Sequence, residues 1–235
     1  MKKFKLTSEF IVDISGVKLF RIKALIEFGN VKAGDLGGYI EKEENLSHMG
    51  DAWVSDDARI SGNAQVFGNA QVFGDAQVFG DAWVFGNARV FGDAWVFGNA
   101  RVSGNAQVFG NARVFGNAWV SGNARVSGDT QVFGDARVFG NAWVSGNARV
   151  FGDAQVSGNA RVSGDKDYAY AHGFGSCNRT TTFFRLKDGD VGVRCGCFYG
   201  TLAQFRDKVC ETHGETKKAQ EYLMLADLME IRFKN

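Results

Sequence analysis

Residues 86–115 read GNARVFGDAWVFGNARVSGNAQVFGNARVF, one six-residue phrase written five times with a few letters changed. The phrase runs well beyond this stretch. A branched aliphatic residue recurs at Val54, Ile60, Val66, Val72 and every sixth position to Val162, nineteen hexads without a slip. Two residues before each stands Ala, replaced once by Thr130. Two residues after each stands Gly, replaced once by Asp56, and then Asn or Asp. A period of six is neither the 3.6 of a helix nor the simple alternation of a strand. It fits a unit of one short strand and one corner. Ala and Val, two apart, point to one side of a strand and here point inward. Gly followed by Asn or Asp makes the corner, because these residue types tolerate a left-handed backbone. Three corners close a triangle, so eighteen residues make a coil. Residues 51–165 then hold a little more than six coils, a prism roughly 30 Å long at about 4.8 Å per coil.

The V-F-G-N-A-R phrase resembles the hexapeptide-repeat proteins, whose fold is the left-handed parallel β-helix. The resemblance covers about half of the chain and implies a mainly β fold, a single-stranded left-handed parallel β-helix of six or more coils. It also implies an oligomer, since such proteins are often trimers. It does not fix an activity, because the architecture serves transferases, carbonic anhydrases and inert spacers alike. Hexapeptide acyltransferases use a histidine near a loop that interrupts a coil. Here no histidine lies between His48 and His172, and the register from Asp51 to Asp165 is unbroken. The three coil histidines of the carbonic anhydrases are missing too. The repeat body therefore reads as non-catalytic. Its corner Asn and Asp residues read as turn formers rather than calcium ligands, because corners six apart face different edges.

The varied positions, the residues just before and just after each Val, point outward. Sorting them by eighteen separates three faces. One column reads Ser61, Phe79, Phe97, Phe115, Phe133, Phe151, and beside it run Arg59, Gln77, Trp95, Arg113, Gln131, Arg149. The other two Phe columns are broken by Ser. An outward row of five phenylalanines either stacks on itself under neighbouring Arg and Gln stems or packs against a partner, a second copy of the chain above all. Phe79, Trp95, Phe97, Phe115, Phe133 and Phe151 are the candidate oligomer interface, a dimer or trimer. Arg113, Arg149 and His172 are candidate contacts to a ligand or partner.

The ends differ from the repeat. Residues 1–49 read as an N-terminal β-hairpin cap, turning at Ser15-Gly16, with Phe20, Ile22, Ala24, Ile26 and Phe28 on one side. A β-helix has open ends whose backbone groups need covering. After the repeat domain, 50–165, residues 166–235 read as a small C-terminal α+β module. It begins with an aromatic, glycine-rich connector, DYAYAHGFGSCNRT. A hairpin turning at 187–190 follows, then a helix with a capping box at Thr201 and Gln204 and an end at Gly214. A second helix then runs into a terminal strand or tail. The stretches LFRIKALIEFGNVKAGDLGGYIEKEENLS and CGCF-x-G-T-L-x-x-F resemble the flanks of uncharacterised repeat proteins of Gram-positive bacteria and their phages. Cys195, Cys197, Cys210 and His213, C-x-C then C-x-x-H, are a candidate zinc set if the two pairs converge from a strand face and a helix face. Core thiols are the alternative, and a Cys177–His172 catalytic pair is a further one.

Composition narrows the class. The 27 basic and 26 acidic residues nearly cancel and no single-sign block occurs, so neither nucleic acid nor membrane is an expected partner. Met1-Lys2-Lys3 leads into a charged alternating segment, not the apolar core of a signal peptide. Four cysteines, all after residue 176, are too few for a disulfide framework, and a cytoplasmic protein of a bacterial host cell is expected. Absence of proline suits continuous backbone pairing. The reading that follows is a binding or scaffold protein rather than an enzyme, self-associating through the β-helix and recognising a partner through the C-terminal module. Its setting, by the phage resemblance, is interference with a host factor or defence. Two alternatives stand beside it: a hexapeptide-type acyltransferase using His172 or His213, and a sponge holding a small nucleotide between subunits by Arg and aromatic clamps. Apart from the zinc alternative, no cofactor is expected.

Overall fold

The hexad folds as a two-residue strand and a four-residue corner. A computed structural model describes residues 1–176 and 178–234. Three longer strands come first, β1 (Phe4–Val12), β2 (Lys18–Ala24) and β3 (Leu36–Ile40). Nineteen two-residue strands follow, from β4 (Trp53–Val54) to β22 (Arg161–Val162), each ending on the repeat aliphatic. Strands eighteen residues apart pair in parallel: Trp95 lies between Gln77 and Arg113, and Val96 between Val78 and Val114. This register builds three walls, and the chain is a β-solenoid of about seven turns. The repeat Ala and Val residues form its core and are fully buried at nearly every turn. Outward neighbours alternate in the backbone ladder, as in Trp95 N–H to Ala112 O (2.9 Å) and Phe97 N–H to Val114 O (3.0 Å).

The corners explain the repeat's fidelity. Gly98 has φ of 69°, and a Cβ there would lie 3.1 Å from the backbone nitrogen of Gly116 one coil on. A side chain is disfavoured by conformation and by space together. Asp56, the one exception, adopts φ of 56° and turns that close approach to use, its carboxylate accepting the Gly74 N–H at 3.0 Å. The Asn after Gly forms its own ladder: the Asn87 amide donates to Asn105 and Asn105 to Asn123, each at 3.1 Å. Thr130, where Ala is otherwise invariant, is fully buried with its hydroxyl bonded to the Ser127 carbonyl.

Both ends are closed by groups that stand in for a missing coil. β1 and β2 form the expected antiparallel hairpin, and β2 pairs antiparallel with β3. β2 stops at Ala24, so Ile26 and Phe28 lie in the following loop, not on the strand face expected for them. β3 already runs in register with the prism, Ile40 beside Ile60, and Leu46 bridges Val66. The buried Asn45 amide donates to the carbonyls of Gly62 (3.1 Å) and Ala64 (2.8 Å), and the buried Lys3 ammonium to those of Gly50 (3.1 Å) and Ala52 (2.7 Å). At the far end acceptors take the last coil's N–H groups: Asp165 from Arg149, Thr182 from Gln155 and Asp167 from Ser163. Burial opposes the charge on Asp167, but hydrogen bonds from Ser163 and Gly164 and the nearby Arg185 hold its pKa below the usual carboxylate value.

The C-terminal module is a four-stranded antiparallel sheet, β23 (Tyr168–Ala171), β24 (Thr181–Arg185), β25 (Val191–Cys195) and β26 (Phe198–Thr201), with helices α1 (Leu202–His213) and α2 (Lys217–Phe233). Consecutive β24 residues face opposite ways: Phe184 joins the solenoid core, while Phe183 packs with Phe205 and Tyr222 under the helices. The capping box at Thr201 and the Gly214 stop are as expected. Three expectations are corrected. The aromatic stretch after Lys166 contains β23, because Tyr168 and Tyr170 alternate as strand residues against β24. α2 continues through Phe233, with no terminal strand among the described residues. Cys195 ends β25, and Gly196, at φ of 58°, turns the chain back into β26, so Cys195 and Cys197 do not share a strand face.

Candidate functional site

The first wall carries the uninterrupted phenylalanine column. Parallel pairing puts each ring directly over its predecessor. Phe79, Phe97, Phe115 and Phe133 stack at 4.9 Å with planes within 3° of parallel, and Phe151 follows at 5.3 Å. The rings point away from the interior and shield one another's faces, leaving their edges as a strip along the wall. Only Phe151 is more than a third exposed, at 38%. Tyr170 of β23 closes the ladder, edge-on to Phe151 at 5.7 Å. The other Phe columns stack the same way over shorter runs, Phe73–Phe91–Phe109 and Phe67–Phe85.

The residues before Val form the neighbouring columns. Where Arg follows Trp one coil later, the guanidinium lies over the indole: Arg113 over Trp95 and Arg101 over Trp83, both at 5.1 Å. Trp83, Trp95, Trp119 and Trp143 also lean back toward the preceding coil. Each meets a Phe edge, as Trp95 does Phe79 at 6.1 Å, or a Ser hydroxyl, as Trp119 Nε1 does Ser103 Oγ at 3.0 Å. The Phe or Ser after a Val thus meets a Trp sixteen residues on, a spacing the sequence contains but the six- and eighteen-residue periods hide. Arg149 is exposed on the same wall, and among the described residues its guanidinium has no ion pair or ring contact. His172 is exposed at the wall's end, with Nδ1 2.8 Å from Thr180 Oγ1 and 3.9 Å from the Asp153 carboxylate.

The second cluster of reactive side chains lies in the module. Cys195, Cys197 and His213 line one cavity of about 230 Å³ between the β25–β26 turn and α1, while Cys210, exposed on α1, is not among its lining residues. Among the described residues no three His, Cys, Asp or Glu side chains are grouped to hold a metal ion, and Cys210 stands apart from the cavity that the other two thiols line. Cys177 lies outside the described residues. Tyr222, buried on α2, organises the cavity: its hydroxyl accepts the Ser176 N–H at 3.0 Å and lies 3.8 Å from the Cys195 thiol, and burial pushes its pKa up. Arg179 lines the same cavity; the sequence singles out neither it nor Tyr222, since Arg179 sits in a stretch without pattern and Tyr222 reads as an ordinary helix-core residue.

A family model described as the YdcK beta solenoid repeat matches residues 58–74, 106–122, 118–132, 130–146, 142–156 and 154–165, all within the repeat. No curated protein matches the chain. The hexad pattern, the three-walled register and this likeness agree that the chain is a β-solenoid repeat protein.

Proposed function

We propose that the chain is a non-enzymatic scaffold whose first wall binds a second copy of itself and whose C-terminal module recognises a partner. The observation that carries the reading is the Phe79–Phe151 ladder, five apolar ring edges in the longest unbroken aromatic strip on the three walls. Arg113 and Arg149 lie on one side of the central Val column, where Asp75, Asp93 and Asp129 stand at the corners beside Arg113, and the ladder lies on the other. Two copies related by a two-fold axis along the solenoid set each Arg-bearing column against the partner's Phe column, joining apolar cover to guanidinium–ring contact. The fully stacked core and caps leave the prism rigid, so what it presents at its end is held at a fixed distance from the paired wall.

The free thiols of Cys195, Cys197 and Cys210 suit a reducing compartment, and no helix among the described residues is long and apolar enough to cross a membrane. The resemblance of the flanks to proteins of Gram-positive bacteria and their phages suggests a host factor or defence component as the module's target, met in the bacterial cytoplasm. A hexapeptide-type acyltransferase is the second reading, favoured by the His172–Asp153 approach and tested by whether acetyl-CoA raises the melting temperature.

The self-association test is the double variant Phe97→Ser, Phe115→Ser. Ser occupies the same register at Ser61, Ser103 and Ser121, so the coil accepts it. Sedimentation velocity is expected to show a wild-type oligomer and a monomeric variant with unchanged circular dichroism. A variant that stays fully associated would refute the assignment of this wall.

A further inference from the structure

The cavity between the β25–β26 turn and α1 has an unusual lining. Its floor is aromatic, Phe198 and Phe205, and two thiols and an imidazole stand at its sides. Its charged groups are all basic: Arg179, Lys208 and His213 when protonated, with no carboxylate among the lining residues. Lys208 is already engaged by Glu211 at 2.8 Å. Among the described residues Arg179 is not engaged: its guanidinium has no hydrogen bond or ion pair there and lies against Gly196, in the space a side chain would fill. The His213 ring is held by stacking on Tyr222, centroids 5.8 Å apart. The walls are fixed before any ligand arrives. Thr181 Oγ1 donates to the Cys195 sulfur at 3.2 Å, and the buried Tyr222 hydroxyl ties residue 176 to α2. A preformed apolar floor under an unpaired cation is the arrangement that holds an organic anion by its body and its charge together.

The geometry points to a binding site for a carboxylate with a planar apolar body, the anion meeting Arg179 and His213 and the body lying on Phe198 and Phe205. A free aryl acid and the carboxyl terminus of a polypeptide ending in an aromatic residue share this chemistry. The inference rests on the module being the recognising end of the scaffold. It does not depend on the first wall, so a monomeric chain would leave it standing.

The site's own thiols report on it. Full-length protein is alkylated at neutral pH with iodoacetate or iodoacetamide, and each cysteine's rate is read by peptide mass spectrometry. With either reagent the thiolate sulfur bonds to the methylene carbon as the carbon–iodine bond breaks and iodide leaves, so the reagents differ in charge but not in reaction. Exposed Cys210 on α1, outside the cavity, is the internal reference. The iodoacetate-to-iodoacetamide ratio is expected to be about tenfold higher at Cys197 than at Cys210, the scale of focusing by a basic cleft. Benzoate should slow Cys197 and leave Cys210 untouched, and benzamide should do neither. Arg179→Gln, at an exposed position, should bring the Cys197 ratio down to that of Cys210. Protection by a peptide ending in Phe, stronger than by benzoate and lost in its C-terminal amide, identifies a polypeptide terminus as the ligand. Protection by benzoate at least as strong identifies a small acid. Equal ratios at the two cysteines, with no protection by either probe, would overturn the proposal.

Discussion

Asn45→Asp isolates what closing the solenoid contributes. The substitution keeps the side chain's shape and its acceptor for the Lys42 N–H (2.9 Å) but replaces the amide that donates to Gly62 O and Ala64 O. Asn45 is 1% exposed, so water does not replace those bonds. A buried carbonyl left without a donor costs about 1–3 kcal/mol, and two of them cost roughly 2–6 kcal/mol, before counting a carboxylate facing two carbonyl oxygens. The new carboxyl should have a raised pKa in the folded state. Stability is then lost as pH rises through that value and partly recovered as pH falls toward about 4, where the protonated group again donates one bond. Urea denaturation is expected to show a loss of at least about 2 kcal/mol at neutral pH. Because a solenoid's coils depend on their neighbours only, hydrogen exchange should accelerate at Ser47, Trp53 and Arg59 while the amides near Phe115 keep their protection. A loss below about 0.5 kcal/mol, with first-coil exchange unchanged, would refute the capping role.

The Trp–Ser pairs give a second test. Trp119→Phe and Ser103→Ala each remove one partner of the 3.0 Å hydrogen bond, and a double-mutant cycle is expected to return a coupling of about 1 kcal/mol. Ser103→Phe should be tolerated, because Phe67 and Trp83 show the same pair of positions filled by an edge contact at 6.1 Å. Lys3 gives a third. Burial lowers its pKa from 10.5 to about 8, against the pull of Asp51. Between those values the unfolded chain holds a proton that the folded chain has released, so stability should rise with pH from about 8 by up to roughly 1 kcal/mol per unit. Lys3→Met should lose this slope, and a wild-type slope no steeper than the variant's between pH 8 and 9.5 would contradict the lowering of the Lys3 pKa by burial.

How much of this was legible depended on whether a contact repeats. Val, Ala and Gly at fixed positions in nineteen hexads define the strand, the core and the corner, and sorting by eighteen puts Phe79 over Phe97 before any coordinates exist. The capping box at Thr201 is local and was equally readable. The caps were not, because they join residues far apart with no period between them, as Lys3 reaches Ala52 and Thr182 reaches Gln155. Phe73, Phe79 and Phe67 look alike in the sequence, and only the length of each uninterrupted column distinguishes them. The C-x-C at 195–197 misled for a different reason: alternation implies a shared strand face, but the positive φ of Gly196 makes the middle residue a turn. The cavity beside it needs α1 to fold back over that turn, a tertiary event that leaves no pattern in the residues involved.

The central claim is that the phenylalanine wall joins copies of the chain, and the molar mass of the unaltered protein in solution tests it most directly. Multi-angle light scattering across a concentration series should give a whole-number multiple of the 25.6 kDa chain, two or three copies, with a smaller species emerging only on dilution. A constant mass of one chain at every concentration would contradict it.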